Sequence, residues 1–315
     1  MKKIFSLFAL VIILASCNNK STTNNDSNTD KKFDTYKNQF VENLWKVYPG
    51  WASSQGYHKY DSVLIVPNET ERATELNFAK ANLDSLKQFD VNTLSSNNKT
   101  DYHMIENQLN STIWSINEMK SWQWNPSEYN VCGSFSELLN GNYAPLNQRM
   151  NDLYLKMKNV TAFYEAAKSN IQNPTLEHTQ LAIDQNLGGV SIFESEFIDS
   201  LEKINVSDAQ KQLMADASKA AAKAVNDYAD WLKKLDNKTP RSFRLGAALY
   251  SKKFDFDIQS AYTADEMYQK AIDHKKELHQ KMFALSNQLW SKYMGNDKKP
   301  TDSLKLIRQV IDKIS

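Results

Sequence analysis

Two histidines and a glutamate in one short stretch, His274, Glu277 and His279, are residue types that bind catalytic zinc. A zinc-protease helix places its histidines four residues apart, so that both imidazoles project from one face, with glutamate directly after the first. Here the histidines are five residues apart, which separates their directions by roughly 140°. Glu277 follows His274 by three positions. We therefore predict no catalytic or metal-binding residue in this stretch.

The apolar residues of the same helix predict how its histidines are placed. Residues spaced at a helical period form a stripe: Met267, Ala271, Leu278, Met282, Leu285 and Leu289. His274 falls on this stripe and His279 falls off it. We expect His274 to be hydrogen-bonded and partly buried, and His279 to be solvated.

Other candidates for chemistry are sparse. The remaining histidines, His58, His103 and His178, form no pair at four-residue spacing. Asp101, His103 and Glu106 can meet on one side of a helix, where they would bind a metal or lie on the surface; we expect the surface. No nucleophile elbow, phosphate loop or dinucleotide fingerprint occurs.

Aromatic residues concentrate in the segment between residues 114 and 135. The cluster consists of Trp114, Trp122, Trp124, Tyr129 and Phe135. Such a cluster lines a ligand groove or fills a core at a helix junction, and the core is the interpretation we favour.

The N-terminus has the pattern of an export signal. Lys2 and Lys3 precede an apolar run over residues 5–14, which is too short to span a membrane as a mature helix. Small residues then precede Cys17, an arrangement that resembles the bacterial lipoprotein signal motif. The resemblance implies that residues 1–16 are a signal peptide and that Cys17 is the lipid attachment site. The alternative is an ordinary signal peptide with a chance cysteine.

The residues after Cys17 predict a tether and a location. Residues 17–32 are rich in Ser, Thr, Asn and Asp, which is typical of a flexible polar tether. Asn18 follows the cysteine, which by resemblance to lipoprotein sorting rules favours the outer membrane. We expect an exported protein that is anchored in the cell envelope and has the membrane as its partner.

Composition limits the remaining partners. Without the signal peptide the chain has 36 basic and 37 acidic residues, a formal charge of −1, so we expect no nucleic acid partner. If Cys17 is lipidated, Cys132 is the one cysteine left. No internal disulfide can then form, and we expect Cys132 to be a small buried residue.

The spacing of apolar residues predicts an all-α fold, a large irregular helical body over residues 33–315. Only 8 glycines and 7 prolines in 315 residues argue against all-β and doubly wound folds. Apolar faces predict helices over 33–47, 76–86, 102–116, 150–171, 176–187 with Gly188-Gly189 as the C-terminal cap, and 193–204. Capping boxes at Ser207 and Thr263 open two further helices.

Two segments leave alternatives open. Alternating apolar residues near 242–250 indicate a short strand, although 245–250 also fits a helix turn. Thr301 or Asp302 can cap a last helix that stops at Ser315. That ending fits either a native terminus or a chain cut short within a larger fold.

Several short blocks carry a family resemblance. They are residues 48–57 (YPGWASSQGY) with Tyr60-Asp61 and Leu64, 124–129 (WNPSEY), 160–167 (VTAFYEAA), 182–186 (AIDQN) with Gly188, Tyr228 with Trp231-Leu232, and Leu245-Gly246 with Tyr250. Their order and type resemble the bacterial domain-of-unknown-function 885 family over residues 33 to 295.

That resemblance implies a fold and an activity for longer relatives. Family members are often lipoproteins, largely helical, and similar in fold to zinc-dependent, zincin-like oligopeptidases. Their zinc segment lies further toward the C-terminus, and nothing in this sequence matches it. The chain therefore resembles the N-terminal part, no catalytic or cofactor-binding residue is carried over, and zinc is expected only for a full-length relative.

Two functions follow as expectations. The first is a truncated or split relative of zinc-dependent peptidases that is inactive alone and has a complementary C-terminal half as its partner. The second is a non-catalytic lipoprotein that binds a peptide or protein in its helical groove. The sequence leaves open whether the chain is an enzyme.

Overall fold

The computed structural model describes residues 23–315, with side chains from Asn28 onward. The predicted signal peptide, Cys17 and the first part of the predicted tether lie outside these residues. The prediction of an all-α protein is confirmed, because no residue in the described range lies in a strand. Within the same range, none of the helices combines the length and the apolar character needed to cross a bilayer.

Fourteen α-helices follow one another along the described chain. They are α1 Thr23–Val47, α2 Pro49–Ser54, α3 Glu69–Leu86, α4 Ser96–Trp114, α5 Ser121–Trp124, α6 Cys132–Asn140, α7 Leu146–Met157, α8 Val160–Asn170, α9 Leu176–Gly189, α10 Phe197–Leu201, α11 Asp208–Lys234, α12 Ala247–Ile258, α13 Ala264–Met294 and α14 Ser303–Ile314. A π-helical segment, Ser115–Met119, continues α4, and a second one, Ile192–Glu196, directly precedes α10.

The chain divides into two compact units, the first ending at Arg241 and the second running from Ser242 to Ser315. Two cores lie in the described part of the first unit. In one, Phe33 and Phe40 of α1 pack with Ala79 of α3 and with Tyr102 and Leu109 of α4. This core confirms the apolar faces predicted for the first three helices, because apolar side chains at helical spacing are removed from water together.

The other core of the first unit is larger and gathers α6 to α11. Its fully buried members include Phe135, Met150, Tyr164, Phe197 and Tyr228. Cys132 is 3% exposed at the edge of this core, which confirms the prediction of a buried cysteine.

The first helix begins earlier than the predicted start of the helical body at residue 33. It starts at Thr23, and hydrogen bonds of Asp30 fix its polar first part against the start of α4. The Asp30 carboxylate accepts hydrogen bonds from the Ser95 backbone N–H at 3.0 Å and from Asn98 Nδ2 at 2.9 Å. Side-chain bonds to α4 thus replace the apolar contacts that this segment lacks.

The predicted strand near 242–250 is wrong, and the alternative of a helix turn is correct. Helix α12 begins at Ala247, and the Tyr250 backbone N–H donates to the carbonyl of Gly246 at 3.0 Å. Gly246 has φ 80°, a conformation that glycine adopts without strain and that turns the chain into the helix. Phe243, at the start of the alternating pattern, is 47% exposed and belongs to no sheet.

Two other boundaries also differ from prediction. The single helix predicted over 150–171 is broken between α7 and α8, where Asn159 Nδ2 donates to the carbonyl of Leu64 at 2.9 Å. Gly188 and Gly189 do not cap α9 but lie inside it. A Cβ at Gly189 would stand 2.6 Å from the Cβ of Cys132, so this glycine allows close packing against α6.

The second unit is built on the pair α13 and α14. Thr263 and Glu266 form the predicted capping box at the start of α13, and Asp302 caps α14 by accepting from the Lys305 backbone N–H. Trp290, Leu306 and Val310 form the core of this pair.

Much of the apolar stripe predicted for α13 is exposed rather than buried. Its exposed members are Met267, Leu278, Met282 and Leu285. Within the second unit the core contact is made instead by the C-terminal part of the helix, around Trp290.

Candidate functional site

The candidate site is a cleft of about 370 Å³ in the first unit, which we call the aromatic–acidic cleft. It lies among α2, α3, α4, α5 and α8. Its lining residues are Tyr48, Trp51, Pro67, Glu71, Arg72, Glu75, Gln108, Thr112, Ser115, Ile116, Ser121, Trp122, Glu128, Tyr129 and Phe163. Five of them are aromatic and three carry carboxylates.

The start of helix α3 places two of the carboxylates. Asn68 caps the helix by accepting from the Glu71 backbone N–H at 2.9 Å, and the acidic first turn suits the positive end of the helix dipole. Glu71 and Glu75 are four residues apart, so they share the face of α3 that lines the cleft. The Glu71 charge therefore disfavours ionisation of Glu75.

Burial and this repulsion change the acidity of the cleft. Burial, reinforced by the nearby Glu71 carboxylate, raises the pKa of Glu75 to about 7. Burial also raises the pKa of Glu71. The Tyr48 hydroxyl donates to Glu75 Oε2 at 3.5 Å, a long bond that offsets only part of the cost of burying that charge.

Arg72 forms the opposite part of the α3 wall. Its guanidinium carbon lies 3.9 Å from the centre of the Trp122 ring, and its Nη1 donates to the Pro67 carbonyl at 3.1 Å and to Asn170 Oδ1 at 3.0 Å. The Arg72 guanidinium therefore already donates hydrogen bonds within the protein. Arg72 consequently shapes the wall and attracts Glu75 without contacting it as an ion pair. Within the described residues, neither Glu71 nor Glu75 forms an ion pair.

The aromatic walls come from short irregular elements. Pro49 begins α2 at a position where its fixed φ is favourable, and α2 presents Trp51, which is 40% exposed at the cleft. The π-helical segment after α4 contributes Ser115 and Ile116 to the lining. Lys120 ends it in the left-handed conformation, φ 49°, directly before α5, which carries Trp122. Such π segments are frequent at functional sites.

The charges and rings of this lining are suited to recognition of a cation. Among the described residues around the cleft there is no histidine or cysteine, and none of the described histidines, cysteines and carboxylates form a group of three that could hold a metal. Carboxylates beside aromatic rings attract cations, through Coulomb attraction and through the negative ring faces. The cleft is therefore complementary to a positively charged group with an apolar stem.

The histidines that sequence analysis considered lie elsewhere, and the prediction for α13 is reversed. His274 is exposed, with its Nδ1 3.5 Å from Glu277 Oε2. His279 is half-buried, and its Nε2 lies 3.1 Å from the Ser303 hydroxyl. The reason is that α14 begins at Ser303 and covers the face of α13 that carries His279.

The second histidine candidate is confirmed as surface. His103 Nδ1 lies 3.4 Å from Glu106 Oε2 with both side chains largely exposed, and Asp101 instead accepts from Lys37 Nζ at 2.7 Å.

The aromatic cluster serves both purposes that sequence analysis considered. Trp114, Trp124 and Phe135 are buried in the core. Trp122 is half-buried and lines the cleft, and Tyr129 is buried and also lines it. The favoured core interpretation is correct for most of the cluster.

Sequence analysis missed Glu71, Arg72 and Glu75. A weak signal was present, since Glu71 and Glu75 are four residues apart and two carboxylates at this spacing on a helix repel each other. What the sequence did not indicate is that α2 and α5 meet this face of α3.

Comparisons with known proteins identify relatives but no activity. The model of the family described as "Bacterial protein of unknown function (DUF885)" matches residues 49–314. A solved structure from Shewanella oneidensis, described as "a putative lipoprotein of unknown function", is 42% identical with a TM-score of 0.84. That match covers 89% of this chain and 52% of the relative, so the chain spans about half of its length. No protein of curated function matches the chain.

Proposed function

The chain belongs to the DUF885 family, whose model matches most of its length. We propose that it is part of an exported, lipid-anchored protein that binds peptides carrying a basic side chain. The aromatic–acidic cleft is the proposed binding site. The observation that carries the proposal is Glu75, a carboxyl group held beside aromatic rings and beside a second carboxylate. Within the described residues it forms no ion pair, and Arg72 attracts it only from a distance.

The proposed ligand group is the side chain of a lysine or arginine. Its apolar stem would pack on Trp51, Trp122 and Phe163, as long cationic side chains do on apolar surfaces. Its charge would lie against Glu75 and Glu71. A bound cation favours the ionised form of Glu75, so binding would release a proton near neutral pH.

Calorimetric titration of residues 18–315 with an N-acetylated tripeptide ending in lysine tests this proposal. The acetyl group removes the α-ammonium, which leaves the side chain as the one cation. Loss of the charged partner in Glu75→Gln is expected to weaken binding at pH 8 about tenfold or more. Glu69→Gln, an exposed residue on the same helix α3, is the matched control and should bind like the wild type. Binding that needs a free N-terminus, or that ignores Glu75, would contradict the proposal.

The lipid anchor is a separate part of the proposal. It rests on the motif before Cys17 and on the description of the Shewanella relative as a lipoprotein. The variant Cys17→Ser should move the protein from the membrane fraction to the soluble fraction. Unchanged partitioning would reject lipidation at this residue, and density fractionation of the membranes would test the outer membrane as its location.

We also propose that the whole protein is related to zinc-dependent peptidases and that this chain lacks the zinc site. Two observations favour this second candidate: the solved relative is about twice as long as the aligned part, and α13 exposes an apolar face that a further segment could cover. Purified residues 18–315 should then contain no stoichiometric zinc and cleave no peptide. Activity should appear on addition of the uncovered half of the relative. Zinc-dependent cleavage by this chain alone would refute the second candidate.

A further inference from the structure

A second cavity adjoins the aromatic–acidic cleft. Its volume is about 260 Å³, and it shares Tyr48, Trp51, Glu75 and Phe163 with the cleft. The rest of its lining is mostly apolar residues, which come from the start of α2 and from the segment 63–65. Because the two cavities share four residues, a ligand of a few residues can occupy both.

Lys156 of α7 is the cationic side chain in this second cavity. Its side chain is 2% exposed, and within the part of the chain that the structure describes its ammonium group makes no hydrogen bond or ion pair. The nearest ring is Phe135, whose centre lies 5.4 Å from Nζ. Burial of an unpaired ammonium is costly, and it lowers the pKa of Lys156 to about 8.

The nearest buried carboxylate is engaged with other partners. Asp61 is 1% exposed, accepts from the Ser53 hydroxyl at 2.5 Å, and lies 2.9 Å from His58 Nδ1. It attracts Lys156 from a distance without forming an ion pair with it. The exposed Glu137 also attracts Lys156 without forming an ion pair with it. Asp61 thus belongs to a closed hydrogen-bonded group, whereas Lys156 lines the cavity.

We propose that the second cavity binds the C-terminal carboxylate of the peptide, with Lys156 as its counter-ion. This inference rests on the proposed function and makes it more specific, because it assigns the ligand class to peptides whose last residue is basic. The argument is charge complementarity across two adjoining cavities. Glu71 and Glu75 line the cleft, and Lys156 lines the neighbouring cavity on the other side of the shared Glu75, which matches a basic side chain and a carboxylate on the same residue.

A peptide pair tests the inference on the wild-type protein, without any mutation. The N-acetylated tripeptide ending in lysine is compared by calorimetry with the same tripeptide carrying a C-terminal amide. The amide lacks the negative charge, so we expect it to bind about tenfold more weakly or worse. Equal affinity would overturn this inference and leave the proposed function standing. Failure of both peptides to bind would overturn both.

A variant assigns the difference to one side chain. Lys156→Met keeps the length and apolar stem of the residue and removes its charge, so it should bind the two peptides with equal affinity, at the level of the amide. Lys158→Met is the matched control, since Lys158 is an exposed lysine at the end of the same helix, and it should keep the preference for the carboxylate. A preference that survives Lys156→Met would overturn the assignment. The wild-type comparison decides the matter if that variant does not fold.

Discussion

The guanidinium carbon of Arg72 lies 3.9 Å from the centre of the Trp122 ring, so α3 and α5 meet through a stacked cation and indole. The same guanidinium donates to Asn170, the last residue of α8. Arg72 thus joins three of the helices that line the aromatic–acidic cleft. A wall built in this way holds its shape without a ligand, and such preorganisation reduces the entropy cost of binding.

Removal of the Arg72 charge should destabilise the first unit. Arg72→Met loses two charge-assisted hydrogen bonds and the stacking on Trp122, so we expect a loss of about 2–3 kcal/mol in the free energy of unfolding. Urea denaturation followed by tryptophan emission measures it. The control is Arg308→Met, where an 82% exposed arginine faces Asp312, and there the loss should be less than about 1 kcal/mol. Similar losses for both variants would contradict the assigned role of Arg72.

The Glu75 carboxyl should make stability fall as pH rises. Its pKa is about 7 in the folded chain against 4.5 for an unperturbed glutamate, so the folded state binds the proton more tightly. That contribution is fully present below about pH 4.5 and is lost as pH rises through about 7. Glu75→Gln should therefore raise stability at pH 8 by about 1–2 kcal/mol, a figure reduced for partial exposure, and have little effect at pH 4.5. A larger stabilisation at low pH would show that the sign is wrong.

The sequence predicted the fold well where periodicity decides it. The apolar faces around Phe33, Tyr102 and Tyr164 are buried as expected, because helical spacing alone determines which side chains share a face. It failed at boundaries that depend on distant partners. Asn159 breaks a helix by bonding to Leu64, which is 95 residues away along the chain, and no local pattern encodes that contact.

Two neighbouring glycines of α9 provide a test of close packing. Gly189→Ala should destabilise the first unit by about 1–3 kcal/mol, because the new methyl group would overlap Cys132 of α6. Gly188→Ala meets no atom within 4 Å and should stabilise the helix by up to about 1 kcal/mol. Thermal unfolding of the two variants compares them directly. Equal shifts in the same direction would argue against the close approach of α6 and α9.

The Cys132 thiol should be unreactive in the folded chain. Burial raises its pKa to about 11, which leaves almost no thiolate at neutral pH, and the side chain is 3% exposed. In residues 18–315 a chromogenic disulfide reagent should therefore label Cys132 slowly, and rapidly after addition of urea. Fast labelling without denaturant would show that the core around α6 opens readily.

The candidate site was less predictable than the fold. Lys156 lies on the apolar face that also carries Leu153 and Met157, which marks it as a buried lysine, yet the sequence gives no indication of a cavity beside it. Glu71 and Glu75 could be placed on one helix face, but the burial that changes their acidity depends on α2 and α5. Elements distant in sequence create the electrostatics of the cleft.

The central claim is that Glu75 takes on the role of counter-ion to a peptide cation. Calorimetry at pH 7 in buffers of different ionisation enthalpy tests it most directly, with the N-acetylated tripeptide ending in lysine, whose ammonium group stays charged. Since the pKa of Glu75 is about 7, roughly half of the free molecules carry its proton, and binding should release about 0.5 proton per peptide. Glu75→Gln should release markedly less. Proton uptake, or a heat that is independent of the buffer in the wild type, would contradict the account.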